Sequence, residues 1–424
     1  MTQTATSSSA PTFDIAVIGA GVIGLTHALE LAWAGQKVVI IDQEAPGLGT
    51  SFGNAGHIGN EQLDPLASPS TFRNLLGYLL QKDAAVSFRW AHAMAALPWM
   101  IRFGLSCRKG QYHKGLKALS ALQADSLPAW ADLLTRCGAP DLLISQGNYM
   151  VVETEAALAR GRAEQRHLSE LGVACNWLEA HEMREHLPHA RHAMAGGIRF
   201  HKSGHVANPY RVSQALETAF RAAGGHVHQA RVEAITPLDS GVRIDHTGGH
   251  IWAGKALICA GAWSHHLARP LGLHLPLETE RGYHLHWEKV NAPFDCPIGF
   301  FERRILMTPM GEDLRMTGGT ELGGLSAPPT PKHMTALKYH AAAVIPQYEA
   351  NSAKTWMGYR PSLPDFVPAM GRLKADPRVF ISTGHQHLGL TLGAVSARAM
   401  RDLILERPPA LDMNAYNPHR FHTL

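Results

Sequence analysis

A strand, a glycine-rich turn, a helix and a second strand are predicted at residues 14–42, DIAVIGAGVIGLTHALELAWAGQKVVIID. The apolar run DIAVIG suits a buried parallel strand, and KVVIID suits a second one. Between them, apolar residues recur where a helix can pack on a sheet, and Gly35 supplies the end of that helix. This order indicates that the chain begins with an α/β unit.

The glycines of the turn follow the pattern GxGxxG, which is typical of dinucleotide binding. Gly19 permits the tight turn, Gly21 lets the backbone approach a pyrophosphate, and Gly24 lets the helix pack closely on the strand. The helix N-terminus favours phosphate charge, and Asp42 stands where a carboxylate accepts ribose hydroxyls. The predicted dinucleotide contacts of this unit are Gly19, Gly21, Val22, Ile23, Gly24, Asp42 and Gln43.

The same pattern serves both NAD and FAD, so other parts of the chain must distinguish the two cofactors. A flavoenzyme that NAD(P)H reduces usually carries two such patterns, and this sequence has no second GxGxxG after a strand. Near the C-terminus, FISTGHQHLGLTLG predicts a strand that leads into another helix N-terminus, a second positive dipole end. These features favour FAD that is reduced by a substrate.

Composition excludes several other classes of protein. The chain has 424 residues, 45% of them hydrophobic and 17% charged, so it can bury a large core. The formal charge of +4 is spread out, which argues against a nucleic-acid partner. The five cysteines are isolated and lack CxxC spacing, so we expect a reducing compartment, no disulfide framework and no metal site. Without an uninterrupted apolar run of eighteen residues or a secretory signal, we expect a cytoplasmic protein.

The order of predicted elements is α/β at the start, helices and antiparallel strands in the middle, and α/β again at the end. We therefore expect an α/β fold with a Rossmann-like FAD-binding domain in separated segments and an inserted α+β substrate domain with an antiparallel sheet. The expected FAD-binding segments are 13–70, 190–275 and 355–424; the expected substrate-domain segments are 71–189 and 276–354; residues 1–12 form a disordered leader.

The apolar stretch within 75–107 has two interpretations. Lys82, Asp83, Arg89 and Arg102 interrupt it, and we expect a buried or domain-packing pair of helices. The alternative is a peripheral patch that contacts a membrane surface, which would place the protein at the inner face of the membrane.

Several motifs in this sequence are familiar: GTSFGNAGHI, ARVEAI, ICAGAWS, RGYHLHW, GYRPSLPDFVPAMG and TGHQHLGLTLG. With them, the chain resembles the FAD-dependent oxidoreductases of the D-amino-acid oxidase superfamily, especially bacterial D-amino-acid dehydrogenases and glycine oxidase. The resemblance covers nearly everything from Phe13 onward.

The resemblance implies further flavin contacts, which follow the order of the motifs. Thr50 and Ser51 would contact the pyrophosphate, and the backbone of Val232 would meet the adenine. The residues that would line the isoalloxazine ring are Asn54, Ala55, Gly56 and His57. Ala260, Gly261 and Trp263 would lie against the nucleotide. The backbone that would face the pyrimidine edge of the flavin is that of Leu388, Gly389, Leu390 and Thr391.

The resemblance also implies a substrate site. Arg360 of GYRP would bind the substrate carboxylate, His387 matches a substrate-contacting position of glycine oxidase, and RGYHLHW nominates Tyr283 and His286. Three alternatives stay open at this point. In the first, Arg360 pairs with Asp365 or another acid. In the second, Tyr283 is a packed core residue. In the third, the histidines near 284–286 and 385–387 bind a metal, which we do not expect without acidic or thiolate partners.

The flavin is expected to be held without a covalent bond. In the related sarcosine and dimethylglycine dehydrogenases, a His of the second flavin segment carries a covalent link, and Gly53 occupies the matching position here. No Cys lies in GGTEL or in the strands beside it, so a cysteinyl link is not expected either.

These expectations combine into an FAD-dependent D-amino-acid dehydrogenase or oxidase. It would oxidise a small D-amino or cyclic imino acid, such as D-proline or 4-hydroxy-D-proline, to an imine and then a 2-oxo acid, and would pass electrons to oxygen, a quinone or another carrier. Two alternatives remain: a 2-hydroxy-acid or secondary-amine oxidoreductase on the same fold, and a non-catalytic FAD-binding subunit or sensor. The oligomeric state stays open.

Overall fold

The computed structural model describes residues 12–73, 86–89, 92–187 and 193–423. The strands are β1 Phe13–Ile18, β2 Val38–Asp42, β3 His57–Ile58, β4 Val86–Phe88, β5 Leu143–Ile144, β6 Asn148–Val152, β7 Cys175–Glu179, β8 Gly196–Phe200, β9 Gly204–Val206, β10 His226–Gln229, β11 Val232–Leu238, β12 Gly241–His246, β13 Gly249–Ile258, β14 Glu278–Trp287, β15 Ile298–Phe300, β16 Ile305–Met310, β17 Asp313–Leu322, β18 Lys354–Ser362, β19 Ala369–Arg372 and β20 Val379–Thr383.

Helices cover the remaining regular segments. The α-helices are α1 Val22–Trp33, α2 Ala93–Ser106, α3 Lys109–Gln123, α4 Ser126–Arg136, α5 Leu158–Glu170, α6 Ala180–His186, α7 Pro209–Ala222, α8 Ser264–Ala268, α9 Pro331–Val344 and α10 Gly389–Ile404. Short 3₁₀ helices include Thr50–Gly53, Gly261–Trp263 and Gln386–Leu388.

The first sheet has the strand order β10-β2-β1-β13-β12-β11, and β20 joins it beside β13. Strands β10, β2, β1, β13 and β20 run parallel, whereas β11, β12 and β13 form an antiparallel meander. Alternate residues of β1 enter different cores: Ile15 and Val17 pack under α1 and α10, whereas Ala16 and Ile18 pack on the opposite side. The buried parallel strands therefore read as continuous apolar runs.

The second sheet has the order β18-β14-β17-β16-β15-β6-β8-β7, and β4 pairs with β17. Most of its pairs are antiparallel; β15 with β6 and β17 with β4 are parallel. One face buries an apolar core under α9, with Tyr283 and Leu285 in it. The opposite face presents the alternate residues of β14, including Gly282 and His284, and His284 contacts the carbonyl oxygen of Gly53. A third, small sheet joins β3, β9 and β5.

This mixed α/β architecture with several sheets confirms the predicted fold class. Two local expectations differ from it. Residues 86–88 form a strand that pairs with β17, where the sequence predicted helix, and the neighbouring residues 74–85 lie outside the described residues. Strands β8 and β18 pair in the second sheet, although both fall in the segments expected for the FAD-binding domain. The domain boundaries stay a prediction, as does the leader, of which only Thr12 is described.

The glycine-rich turn holds α1 unusually close to the first sheet. A Cβ on Gly24 would lie 1.8 Å from the carbonyl oxygen of Gly19. Gly19 itself has φ +112°, and a Cβ there would lie 2.4 Å from the carbonyl oxygen of Cys259. Neither contact can relax through a flexible side chain, because both neighbours are backbone atoms.

We expect Gly24→Ala to lower the free energy of unfolding by about 3 kcal/mol, the upper range for overpacking a tight core contact. Urea unfolding followed by circular dichroism measures this change. Gly110→Ala is the control, since Gly110 lies in α3 with nothing within 4 Å of an added Cβ. An exposed helical Gly→Ala change should stabilise by up to about 1 kcal/mol. Equal effects of the two changes would contradict the packing argument.

Candidate active site

The turn after β1 presents backbone donors and a carboxylate to the same place. Helix α1 begins at Val22, and its N-cap residue, Gly21, has no side chain that could cap the helix. The N–H of Val22 instead donates to Ser51 Oγ at 2.9 Å. Asp42 Oδ2 accepts the N–H of Ala20 at 2.6 Å, so the end of β2 contacts the turn directly. The structure thereby brings Ser51 and Asp42, predicted from separate motifs, to the N-terminus of α1.

The residues near the predicted adenine contact also lie close together in the structure. Strand β10 pairs with β2 so that Gln229 lies beside Asp42, and the N–H of Ala230 donates to the carbonyl oxygen of Asp42 at 2.8 Å. Gln229 Nε2 donates to the carbonyl oxygen of Gln43 at 3.1 Å. Val232 follows at the start of β11, where the pairing with β12 has an irregularity.

The C-terminal segment predicted to contact the flavin forms a second helix N-terminus. The 3₁₀ helix Gln386–Leu388 leads directly into α10, and the side chain of Leu388, the N-cap residue of α10, makes no capping hydrogen bond. Trp130 Nε1 donates to the carbonyl oxygen of Leu390 at 2.6 Å, and Thr391 Oγ1 donates to that of His57 at 3.4 Å. Two uncapped helix N-termini, α1 and α10, thus adjoin the segment around Ser51 and His57.

Segment Asn54–His57 connects these elements. Asn54 Oδ1 accepts the N–H of Gly56 at 2.8 Å, and Gly56 has φ +75°, a conformation that favours glycine. His57 is buried, and its Nε2 lies 2.6 Å from Glu61 Oε1. Burial opposes ionisation of Glu61, but the interaction with His57 and hydrogen bonds from the backbone N–H groups of Asn60 and Glu61 together lower the pKa of this carboxyl.

Residues Gly261–Trp263 lie at the carboxyl end of the parallel sheet. Thr383 Oγ1, at the end of β20, donates to the carbonyl oxygen of Gly261 at 3.0 Å. Trp263 is 39% exposed, and its ring contacts that of Tyr359 edge-on with centroids 5.4 Å apart. Trp263 therefore connects this end of the first sheet to β18 of the second.

Arg360 lies on the same face of the second sheet as Gly282 and His284, the face that contacts Gly53. In the strand register it stands opposite Glu280, and its guanidinium lies over Gly282, where an added Cβ would be 2.3 Å from Nη2. Nη1 donates to Thr320 Oγ1 at 3.3 Å. Burial lowers the pKa of Arg360, and Glu280 opposes that shift.

The alternative partner Asp365 is taken by another arginine. Arg420 Nε lies 2.7 Å from Asp365 Oδ2, and Arg420 Nη2 lies 3.0 Å from Oδ1. Among the residues that the structure describes, no carboxylate lies within 4.0 Å of Arg360. Most of its guanidinium donors are therefore available to a ligand.

His387 stands beside Arg360. Burial within the protein, followed by the positive charge of Arg360, lowers the pKa of His387 to about 3. Its side chain nevertheless has an exposed surface. A side chain that is surrounded by protein and still exposed lines a cleft, so His387 and Arg360 share the wall of one cleft as a neutral imidazole and a cation.

Tyr283 and His286, two further residues predicted for the substrate site, do not lie beside Arg360. Tyr283 is on the opposite face of β14, where its hydroxyl donates to Glu321 Oε2 at 2.5 Å and its ring stacks on His333. This position favours the core alternative. His286 shares the face of Gly282 but follows it by four residues, about 13 Å along a strand, and contacts Asp313 at 3.2 Å. Neither residue contacts Arg360 in the structure; Tyr283 contacts Glu321, and His286 contacts Asp313.

Sequence reasoning missed several residues of this face. They are Thr320, which contacts Arg360, and Arg315, His284 and Trp356, which contact the segment Phe52–Asn54. The period-two alternation of RGYHLHW could have placed His284 on the face of Gly282, but no local signal identifies the strands that pair with it.

The described residues contain no group of three or more His, Cys, Asp or Glu side chains that could hold a metal ion. Within the same ranges, no helix is long and apolar enough to cross a membrane.

A glycine-rich turn between β1 and α1, with a carboxylate at the end of β2, defines the dinucleotide-binding class of α/β proteins. The chain belongs to the family described as FAD dependent oxidoreductase, whose model matches residues 14–403. This match confirms the family resemblance, and the chain is therefore an oxidoreductase.

Relatives and solved structures agree with that assignment. The chain is 30% identical over 419 residues to a D-amino-acid oxidase of Bradyrhizobium diazoefficiens, covering 96% of this chain and 98% of the relative. It is 28% identical over 406 residues to a D-amino acid dehydrogenase of Rhizobium johnstonii, covering 94% and 97%. The fold is similar to that of glycine oxidase from Geobacillus kaustophilus, with a TM-score of 0.76 at 22% identity and coverage of 97% and 99%.

The residues present fit FAD, the cofactor that the family implies. A diphosphate needs N–H donors and positive potential, which the N-termini of α1 and α10 provide. A ribose needs an acceptor such as Asp42, and close approach of the backbone needs Gly19 and Gly24, where a Cβ would collide with backbone.

Burial of neutral histidines makes stability depend on pH. For His385, which is buried, desolvation lowers the pKa from 6.5 to about 3. Between these values the unfolded chain binds the proton and the folded protein does not. The free energy of unfolding therefore falls as pH falls below 6.5, by about 1.4 kcal/mol per pH unit for one such group.

We expect His385→Gln to reduce this acid sensitivity, so that the difference in stability between pH 7 and pH 5 is smaller than in the wild type. Urea midpoints at the two pH values measure it. His250→Gln, at an exposed position of β13, is the control and should keep the wild-type difference. An unchanged pH dependence in His385→Gln would show that this histidine is not buried as a neutral group.

Proposed function

We propose that the protein catalyses FAD-dependent oxidation of a small D-amino or cyclic imino acid. The observation that carries the proposal is the guanidinium of Arg360, which lies over Gly282 beside a neutral His387 and has only Thr320 as a hydrogen-bonding partner among the described residues. The names of the two relatives, a D-amino-acid oxidase and a D-amino acid dehydrogenase, support the same substrate class and the D configuration.

Arg360 would bind the substrate carboxylate. A guanidinium binds a carboxylate through two parallel hydrogen bonds, which fix the direction of the ligand as well as its position. Each charge-assisted bond contributes about 1.5–3 kcal/mol. Thr320 holds the guanidinium from one side, and Gly282 leaves the space that the flat group needs. The α-carbon of the ligand is thereby kept at a fixed distance from Arg360.

His387 would contact the substrate beside Arg360. A neutral imidazole offers one N–H donor and one nitrogen acceptor. Because the pKa of His387 is about 3, the ring adds no positive charge that would repel a substrate ammonium. The acceptor nitrogen suits an amine N–H, and it would equally accept the O–H of the α-hydroxyl of a 2-hydroxy acid.

Bound FAD supplies the hydride acceptor for the Cα–H bond of the substrate. The chain would hold that group without a covalent link, because Gly53 offers no side chain and Trp356 occupies the adjoining space. The N-terminus of α10 at Gly389–Thr391 would stabilise negative charge with about half an elementary charge and free N–H groups. A primary amino acid then gives an imine that water converts to a 2-oxo acid, whereas an imino acid gives a cyclic imine.

Reduction of the flavin by candidate substrates tests the proposal. Anaerobic mixing with D-alanine, D-proline, 4-hydroxy-D-proline, their L-isomers and 2-hydroxy acids is followed by absorbance. We expect bleaching by a D-amino or imino acid and, in Arg360→Ala, a loss of about a hundredfold or more in kcat/KM from two missing charge-assisted bonds. Arg372→Ala, which removes an exposed arginine, should behave as the wild type.

Other outcomes of that experiment favour other functions. Bleaching by 2-hydroxy acids alone would replace the proposal with a hydroxy-acid oxidoreductase, and no bleaching by any compound would favour an FAD-binding subunit or sensor. Reoxidation by air would identify oxygen as the acceptor, whereas slow reoxidation by air and fast reoxidation by a soluble quinone would identify a dehydrogenase.

We also propose that α2 contacts an anionic membrane surface. Met94, Leu97 and Ile101 are exposed by 80%, 43% and 57%, and their spacing places them on one side of the helix. Asp83 is the only acidic residue in 66–123, whereas the basic residues there are Arg73, Lys82, Arg89, Arg102, Arg108, Lys109, Lys114 and Lys117. An apolar stripe within a basic segment suits anionic lipid headgroups.

Flotation with lipid vesicles tests this contact. We expect the protein to float with phosphatidylglycerol vesicles and much less with phosphatidylcholine vesicles, because the basic residues need anionic headgroups. Replacing Met94, Leu97 and Ile101 together by Ser should abolish flotation. Tyr339→Ser, at another exposed apolar side chain, is the control. Flotation of the triple variant at wild-type level would refute the proposed surface.

A further inference from the structure

Three consecutive backbone carbonyls of the second flavin segment are held by side chains of the second sheet. Arg315 Nη1 donates to the carbonyl oxygens of Phe52 and Asn54 at 3.1 and 2.6 Å. Between these two bonds, His284 Nδ1 contacts the carbonyl oxygen of Gly53 at 3.1 Å. The carbonyls belong to the end of the 3₁₀ helix Thr50–Gly53 and its C-cap, where backbone acceptors lack partners within the helix.

The contact of His284 defines its tautomer. Burial, followed by the charge of Arg315, lowers the pKa of His284 to about 3, so the ring is neutral near pH 7. A neutral ring can donate to the carbonyl oxygen of Gly53 only when Nδ1 carries the proton. The arginine and the histidine are therefore arranged as two donors to one short stretch of backbone.

Trp356 fixes the same stretch from the side. Its ring stacks on His284, with centroids 5.0 Å apart and an angle of 16°. A Cβ on Gly53 would lie 2.1 Å from the Trp356 ring, so the indole fills the place that a side chain at position 53 would take. The segment is thus held by packing and hydrogen bonds at the position where a covalent anchor is impossible.

Arg315 also brings a charge that no nearby carboxylate neutralises. It is 3% exposed, its Nε has no hydrogen-bonding partner, and no carboxylate among the described residues lies within 4.0 Å of it. Burial lowers the pKa of Arg315 to about 10, and the more distant Asp313 opposes that shift. Asp313 itself contacts His286. Arg315 is therefore a cation at neutral pH, buried beside the carbonyls of Phe52 and Asn54.

We propose that Arg315, with His284, positions the flavin-lining segment and supplies a fixed positive charge that makes bound FAD easier to reduce. The inference rests on the proposed function and on the prediction that Asn54–His57 lines the isoalloxazine ring of FAD. A cation near a group that gains negative charge on reduction stabilises the reduced form and raises its midpoint potential. The carbonyl contacts keep the segment in one conformation for binding of the cofactor.

The second sheet contains a matched control on its opposite face. Arg281 is fully buried and likewise donates to carbonyls, those of Gly324 and Ala327, each at 2.8 Å. Its charge faces Glu321 at 3.5 Å, and its face of β14 is the one covered by α9. Loss of Arg281 should therefore cost stability as loss of Arg315 does, without acting on the flavin segment.

The experiment measures the midpoint potential of protein-bound FAD with reference dyes, and the affinity of FAD for apoprotein by quenching of flavin fluorescence. We expect Arg315→Met to shift the potential to more negative values and to weaken FAD binding by about tenfold to a hundredfold, the effect of one lost charge-assisted hydrogen bond. Arg315→Lys should restore most of the potential, because it keeps the charge, but less of the affinity. Arg281→Met should leave both quantities at wild-type values.

Each outcome separates this inference from the proposed function. If the wild-type protein binds no FAD, the proposed function fails. If the wild type is a flavoprotein that D-amino acids bleach, but Arg315→Met has the potential of Arg281→Met, the role of Arg315 fails alone. If Arg315→Met does not fold, His284→Ala gives the second measurement: weaker FAD binding supports the inference, and unchanged affinity overturns it.

Discussion

The segment Thr50–His57 is held from several sides, and the relation between the two large sheets depends on it. Ser51 accepts the first free N–H of α1, Thr391 of α10 donates to His57, and Arg315 of β17 donates to Phe52 and Asn54. Each contact uses a helix end or a carbonyl that would otherwise lack a partner. Satisfying these backbone groups therefore requires the first sheet, the C-terminal helix and the second sheet to meet at one place, which is also where the predicted flavin contacts converge.

Charge in the candidate site comes from arginine rather than histidine. Burial, assisted by Arg315 or Arg360, lowers the pKa of His284 and His387 to about 3 and that of His286 to a lesser extent. The imidazoles thus serve as neutral hydrogen-bonding groups across the physiological pH range, whereas the guanidiniums stay charged. A site built in this way keeps one electrostatic potential over several pH units, so the state of substrate and flavin, and not that of the protein, would determine its pH response.

How much the sequence predicted depended on how local the signal was. The glycine turn, Asp42 and the helix start at Gly389 are encoded within short stretches, and the structure has the strand, turn and helix expected there. Arg315, Thr320 and Trp356 belong to the site only through the pairing of β14 with β17 and β18. This pairing brings together residues separated by 27 to 84 positions, and no local pattern reveals that register. Tyr283 shows the same limit, because a shift of one residue along β14 moves a side chain from the cleft to the core.

Glycines on β14 and β18 explain why large side chains fit into this cleft. Trp356, Gly358 and Arg360 alternate along one face of β18, and an added Cβ on Gly358 would lie 2.0 Å from the Trp356 ring. The guanidinium of Arg360 lies directly on the backbone of Gly282, because glycine has no side chain there. Gly53 and Gly358 make room for the ring of Trp356 in the same way. Steric contact thereby holds both the arginine and the indole, and it leaves most guanidinium donors of Arg360 available to a ligand carboxylate while the orientation of the group is already set.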